Sequence, residues 1–496
     1  MTTNDVVGPF GAPVPNREIP ATLKAEELSL FDSTAVAVSS VAPAYSASST
    51  IYLLIGVAGV GLVAPAVLIV SFIPVLLIAY SYFHLNRRNP NCGASYSWLA
   101  EIVNPAFGWI NGWVQIAASV LFCAQAPILA GQNTLQFLHS TLHWFSPATV
   151  ASTGWQAVVA TLWLALVTWI CVVGIRWTTN AQWVMVLIEY TAVIVFSIGG
   201  IIKVALRHPA HSVNFSLSWF DPFKIHGFSA LTGGIVLGVF FFWGWDTAVN
   251  LNEESQRASH IPGRAGIISM WLLLAVFLVN IVAVQMLLGP QAIAQQGASS
   301  LFYFGQQFAG SWASYVMLFA VLSSTVATTQ TTVLPAARIT LSMARDGVFP
   351  SVFARISPRF RVPVIGTLLV SAFSFGLILL TTLSSSASSV FSNLTNNIGV
   401  LIAFYYGVTG LACAWAFRKV WGQSTRSTLG LIVLPFIGGI ILLFTCFQVM
   451  KAGGMAALPD ILTLGSSLPL VALTWALTKG KTDFFHRPRV SYDTID

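Results

Sequence analysis

Charge is what this chain has least of. Asp, Glu, Lys and Arg make up 8% of its 496 residues, against about a quarter in soluble globular proteins. With 56% hydrophobic residues and a mean hydropathy of +0.77, a soluble domain of this length is excluded. Cysteine is scarce as well. Cys92, Cys123, Cys171, Cys413 and Cys446 are scattered without metal-ligand spacing, which reads as small apolar filling. No HExxH, Walker-type loop or GxSxG occurs, and the polar tails are too short to house a catalytic domain. The first 29 residues lack a basic stretch leading into a short apolar core, so no cleavable signal peptide is expected.

What the chain has is a succession of apolar runs of about 20 residues, each long enough to cross a bilayer core. They fall near 31–57, 60–84, 107–130, 155–175, 181–203, 229–251, 266–288, 312–338, 364–382, 390–417, 430–450 and 463–478. The class is therefore an all-α polytopic membrane protein with twelve transmembrane helices and both termini on one side. The positive-inside rule orients it. With the termini cytoplasmic, only Lys203, Arg207, Lys224 and Lys451 of the 23 Lys and Arg lie outside. The net charge of +7 is then a signature of topology. The lipid bilayer is the expected surround, and no nucleic-acid partner is expected.

Two spans are irregular. The middle of the first reads "SSVAPAYSASS", where Pro43 cannot donate a backbone hydrogen bond. Either the helix breaks there, facing the interior, or it kinks and serine hydroxyls patch it. The sixth span reads "GGIVLGVFFFWGWDTAVN", with Gly238 and Gly244 flanking aromatics and Asp246 following. The first and sixth spans hold matching positions in two five-helix halves. Interrupted segments so placed point to the binding site of a secondary transporter.

Four motifs in this order resemble the amino acid–polyamine–organocation superfamily of permeases: "NPNCGASYSWLAEIVNPAFGWINGW", "FWGWDTAVNLNEESQRASHIPGRAG", "TTVLPAARITLSMARDGVFP" and "TNNIGVLIAFYYGVTGLACAW". The likeness covers about residues 30–420. It implies a leucine-transporter-type fold, with a 5+5 inverted repeat and two further helices at the C-terminus. The expected division is a cytoplasmic tail (1–29), a first repeat (30–203), an extracellular loop (204–228), a second repeat (229–417), helices eleven and twelve (418–478) and a cytoplasmic tail (479–496). The resemblance also implies a midplane site between helices one, three, six, eight and ten, and alternating access. The family often has a Gly-Ser-Gly break in helix one, whose bare backbone holds a substrate carboxylate. Here Ala42, Pro43, Ala44, Tyr45 and Ser46 stand in that place. Their amides still begin a helix, which favours an anion.

The charges within the spans are few. Asp32 begins the first span and reads as a cap or interfacial charge. Glu101 reads as an ordinary residue at the cytoplasmic end. Glu189, in "WVMVLIEYTAVIVF", has no charged neighbour in sequence. An uncompensated carboxylate there costs at least roughly 2.5–3.5 kcal/mol, so it is protonated, paired or wet. Proton-coupled relatives carry a lysine at what looks like this position, so the sign is inverted here. Glu189 either takes up and releases a proton or makes a permanent structural hydrogen bond. Ser323 and Ser324 look like hydroxyls facing the same position, and the three together offer sodium an oxygen-only alternative. Hydroxyls on membrane helices also commonly bond the preceding turn.

Asp246 is either a direct partner for a substrate ammonium or a gate residue at the inner closure. Phe240, Phe242 and Trp243 are the expected substrate contacts, since aromatic faces attract ammonium groups. Glu253, Glu254, Arg257 and Arg264 read as ion pairs of the inner loop, and Arg338 as a snorkelling cation. Gln115, Gln330, Asn396 and Asn397 read first as amides joining helices; Tyr405 and Tyr406 could reach a site, with core packing the leading reading. His139 and His143 are too few to hold a metal.

The leading expectation is a secondary active transporter, or permease, of an amino acid or small organic amine, coupled to protons and located in the cell membrane. It needs no cofactor beyond a proton or, as the alternative, sodium. A substrate exchanger of the same fold and a non-transporting nutrient sensor are the other readings. No enzyme is expected.

Overall fold

The computed structural model describes residues 23, 25–173, 175–383, 387–479 and 481–493, over 174–182 and 384–389 at most as backbone. Most of the expected N-terminal tail, and 480 and 494–496 of the C-terminal one, lie outside the described residues. The rest forms eighteen α-helices. In chain order these are α1 (Leu30–Val41), α2 (Pro43–Gly56), α3 (Ala64–Arg88), α4 (Ser95–Ile102), α5 (Pro105–Leu142), α6 (Pro147–Ala151), α7 (Thr153–Val173), α8 (Ile175–Arg207) and α9 (Phe228–Phe241). There follow α10 (Thr247–Asn250), α11 (Ile261–Gln296), α12 (Ser300–Ala309), α13 (Ser311–Arg345), α14 (Val364–Thr381), α15 (Ala387–Ala416), α16 (Thr425–Thr428), α17 (Leu434–Gly453) and α18 (Leu458–Thr478).

Nine helical stretches among the described residues are long and apolar enough to cross a membrane. The last, Thr425–Thr478, turns at Gly454 and holds both α17 and α18. The first and sixth spans are not among the nine because each is interrupted, as α1–α2 and α9–α10. Together these account for the twelve expected crossings. In α5 and α13, 83% of the most apolar window is buried, against 33% in α7, α8 and α14. The first two form the centre of the bundle and the other three its exposed outer flank.

Local chemistry sets the helix ends. Ser29 caps α1, and Asp32 returns a bond to the Ser29 amide, closing a capping box. Asn104 caps α5, with Pro105 in the first helical position. α5 then runs to Leu142, well past the expected end near 130. Its last turns, "GQNTLQFLHSTL", are largely polar, so the apolar run ends before the helix does.

The first interruption is at Ala42, whose backbone is left-handed (φ 51, ψ 78), and Pro43 restarts the helix at its first position. The carbonyls released by the break are taken up inside the protein. Ser46 Oγ donates to Val41 O at 2.6 Å, and Thr328 Oγ1 donates to Ser40 O at 2.6 Å. The second interruption follows Phe241. Gly244 there has φ 120, and a Cβ on it would lie 2.7–2.9 Å from Ser40 Oγ, C and O. Only glycine fits both the backbone and the space. The two breaks therefore meet at one point, Gly244 against Ser40, and Ser40 Oγ also shares a 2.9 Å hydrogen bond with Thr247 Oγ1.

The described residues nearest the two ends of the chain pack on the rest of the protein through named bonds. The backbone of Leu28 pairs with Ser255 in an isolated bridge. Glu27 and Leu28 amides donate to Glu254 O, and Gln256 N donates to Leu28 O. Thr482 and Arg487 bond Asp346 at the end of α13.

Candidate functional site

Glu189 of α8 lies fully buried beside the start of α2. Its Oε1 accepts from Ala44 N at 2.8 Å and from Ser324 Oγ at 2.6 Å. Ser324 Oγ in turn accepts from Tyr45 N at 2.9 Å. The N-terminus of a helix leaves its first amides without partners. Here Pro43 has none to offer, Ala44 and Tyr45 are taken by Glu189 and Ser324, and Ser46 N bonds Ala42 O at 2.9 Å. Every donor at this helix start is satisfied from within the chain. The amides expected to face a substrate carboxylate instead meet Glu189, at Ala44, and Ser324, at Tyr45. Its second oxygen, Oε2, has no hydrogen-bond partner among the described residues. Ser323 takes no part, because its hydroxyl bonds Ala320 O at 3.0 Å in its own helix.

Asp246 lies just past the second break and is 5% exposed. Tyr405 Oη of α15 donates to its Oδ2 at 3.2 Å, and Trp243 Nε1 donates to Tyr405 Oη at 2.5 Å. The carboxylate lines a narrow pocket, together with Ser40, Gln115, Ser119, Trp243 and Tyr405. No lysine, arginine or histidine is among its lining residues. Its one charged group is a carboxylate, a chemistry suited to a cation.

The aromatic residues divide. Phe122 of α5 gathers Tyr45, Phe240 and Trp243, with ring centroids 5.4, 6.0 and 5.3 Å from its own. Phe242 is directed elsewhere, against Phe72 of α3 and Phe277 of α11 and beside its chain neighbour Phe241. The turn after Phe241 rotates consecutive rings to different sides, so the structure brings Phe240 and Trp243 together and leaves Phe242 in packing.

The expected inner-loop ion pairs form with other partners. Glu254 binds Arg338 through two side-chain hydrogen bonds, at 2.8 and 2.9 Å, and both side chains are 0% exposed. Arg338 is thus a buried ion-pair member and does not snorkel. Glu253 pairs with Arg345 at 2.9 Å, and its Oε1 also accepts from Cys92 N. Burial pushes the Glu253 carboxyl up, but the Arg345 hydrogen bond and charge outweigh it and hold it below its ordinary value. Both arginines come from α13, so this helix replaces Arg257 and Arg264 as the source of positive charge.

A sequence profile described as amino acid permease matches residues 28–477. The chain belongs to the amino acid permease family. This permease is 23% identical over 376 residues to the low-affinity putrescine importer PlaP of Escherichia coli (strain K12), covering 75% of this chain and 77% of that protein. It is 25% identical over 398 residues to the vacuolar cationic amino acid transporter 4 of Arabidopsis thaliana, covering 77% of this chain and 62% of that one. It is also 25% identical over 356 residues to the human large neutral amino acids transporter small subunit 2, covering 71% and 62%. The chain thus spans less than two thirds of the length of the last two. Among solved structures, that of MhsT in complex with L-phenylalanine matches with a TM-score of 0.63 at 13% identity, covering 88% of this chain and 99% of the other. That likeness is one of fold. The permease is an all-α, multi-pass membrane protein of the leucine-transporter type.

Sequence reasoning put core packing ahead of a site role for Tyr405; the residue is buried, and its hydroxyl donates to Asp246. The signal was present in "AFYYGVTG", polar-tipped rings on a helix implied to line the site. It also passed over Asp460 of α18, which is 2% exposed with Oδ1 unpartnered. The amide of Asn397 meets its other oxygen at 3.2 Å once its nitrogen faces it. Asp460 lies before the expected start of the twelfth span, at 463, which is why it escaped notice.

Proposed function

We propose that this permease is a secondary active transporter that moves an amino acid or small organic amine by alternating access, coupled to protons, with both termini cytoplasmic. One observation carries the reading. Two interrupted helices meet at Ser40 and Gly244, and one buried carboxylate attends each break, Glu189 at the first and Asp246 at the second. Broken helices are tolerated in a bilayer where they are enclosed in protein or line a cavity, and such pairs form transporter sites. The relatives named above are importers and transporters of putrescine, cationic amino acids and large neutral amino acids.

Proton coupling follows from the surroundings of Glu189. Its bound oxygen is held by an amide and a hydroxyl, both donors, and an N–H cannot ligate sodium. Its other oxygen has no partner, and leaving a buried charged oxygen bare costs more than leaving a neutral one. Glu189 therefore gains a proton in one half of the cycle and releases it in the other. The test uses protein reconstituted into vesicles. Glu189→Gln should bind substrate and exchange it across the membrane, yet fail to accumulate it under an imposed proton gradient. Gradient-driven accumulation equal to wild type in that variant would refute the assignment. Dependence on a sodium gradient would replace proton with sodium, and binding without any flux would identify a sensor.

A further inference from the structure

Resting on the transporter reading, we infer that the substrate is an ammonium compound with no carboxylate, because Glu189 occupies from within the chain the place a substrate carboxylate would take. Two independent observations converge on this. The first is the hydrogen-bond accounting at the start of α2. An amino acid bound by its carboxylate needs bare amides at a helix N-terminus, where the partial positive charge is concentrated. Pro43 has no N–H, Ala44 N donates to Glu189 at 2.8 Å, Tyr45 N donates to Ser324 at 2.9 Å, and Ser46 N donates to Ala42 O. A substrate carboxylate would have to expel Glu189 and leave it buried without its donors. Removing the partners of a buried carboxyl is unfavourable in either protonation state, and more so when it is charged.

The second observation is the cavity on the other side of the break. Its lining holds the Asp246 carboxylate and no positive side chain. A zwitterion placed there would set its ammonium against Asp246 but find no cation for its own carboxylate. An amine without the carboxylate meets Asp246, the Trp243 ring and the polar residues Gln115 and Ser119. On this account Asp246 is the ammonium partner, and Tyr405 positions its carboxylate by the 3.2 Å hydrogen bond.

The experiment compares ligand pairs that differ only by the carboxylate, on purified full-length protein. Suitable pairs are ornithine and putrescine, lysine and cadaverine, and phenylalanine and phenethylamine. Thermal shift detects binding and titration gives the Kd. The expected result is that the amine of at least one pair binds at least about tenfold more tightly than its parent amino acid. An amino acid that binds as tightly as its amine, or more so, overturns the inference while leaving the transporter reading intact. If no member of any pair binds, and none is carried in vesicles, the transporter reading itself falls for these substrates and the inference with it.

A second arm addresses Glu189 directly. Glu189→Ala frees the Ala44 amide and the hydroxyl donor of Ser324, and should gain affinity for the amino acid of the pair that binds, narrowing the gap to its amine. Glu189→Gln retains the acceptor oxygen and should keep the preference for the amine. If both variants fold and neither changes the amine-to-amino-acid ratio, Glu189 is not the internal carboxylate. If the alanine variant fails to fold, the wild-type comparison decides alone.

Discussion

Arg338→Met should be among the most damaging single changes around the 252–254 turn, and the reason can be worked through. Arg338 and Glu254 have side chains at 0% exposure, with two side-chain hydrogen bonds between them. Breaking such a pair by removing one member strands the other charge and costs about 3–5 kcal/mol. The neighbouring pair, Arg345 with Glu253, has side chains 38% and 25% exposed. Solvent screening brings that pair to about 0–1 kcal/mol. The contrast is therefore severalfold between two ion pairs on the same two chain segments. Replacing both buried members, Glu254→Leu with Arg338→Met, should cost less than either single change, because no charge is then left unpaired. The assay is thermal unfolding in detergent, followed by the exposure of thiols. All five cysteines are buried, and Cys92 Sγ lies 3.7 Å from Arg338 O, so the probe reads this region directly. Where unfolding is irreversible, the order of midpoints serves in place of free energies. A double variant as unstable as the sum of its singles, or Arg338→Met no worse than Arg345→Met, would refute the reasoning.

Other outcomes are expected. Gly244→Ala forces a Cβ within 2.7–2.9 Å of Ser40 and a side chain at φ 120. It should cost about 1–3 kcal/mol in strain alone and sharply reduce transport. Midpoint and uptake both equal to wild type would remove the contact between the breaks. Ser324→Ala should impair gradient-driven uptake, because Ser324 joins Tyr45 to Glu189, whereas Ser323→Ala should leave it unchanged, since that hydroxyl bonds only its own helix. Equal effects from the two would discard the distinction. The carboxyl of Glu253 is held below its ordinary value of 4.5 in the folded protein, so its contribution to stability is present above that pH and lost as pH falls below it. Arg345→Gln should therefore lose less stability than wild type on acidification through that range, as read by unfolding midpoints.

The spans and both interruptions were legible because hydropathy, Pro43 and the glycines flanking "FFFW" act through local rules. Glu189 was legible as a buried carboxylate for the same reason, since a charge in an apolar run needs an explanation wherever it folds. Its partner was not. The Ala44 amide is 145 residues away in the chain, and nothing in the sequence announces that a backbone group, and not another side chain, satisfies it. Arg338 was misread for a related reason. An arginine near a helix end usually reaches water, and only the approach of the 252–254 turn makes this one interior. The separation of Phe242 from Phe240 depends on the turn after Phe241, where helical periodicity no longer predicts direction.

Glu254 belongs to three chain segments at once. Its carbonyl holds the amides of Glu27 and Leu28, its carboxylate holds Arg338 of α13, and its own backbone continues the broken sixth span. The entry to the first half-helix, the exit of the sixth and the end of the eighth span are thus latched through a single residue. None of the three can swing away by itself without giving up bonds that also restrain the others. A movement that separates any two of these segments therefore has to break bonds made by this one residue.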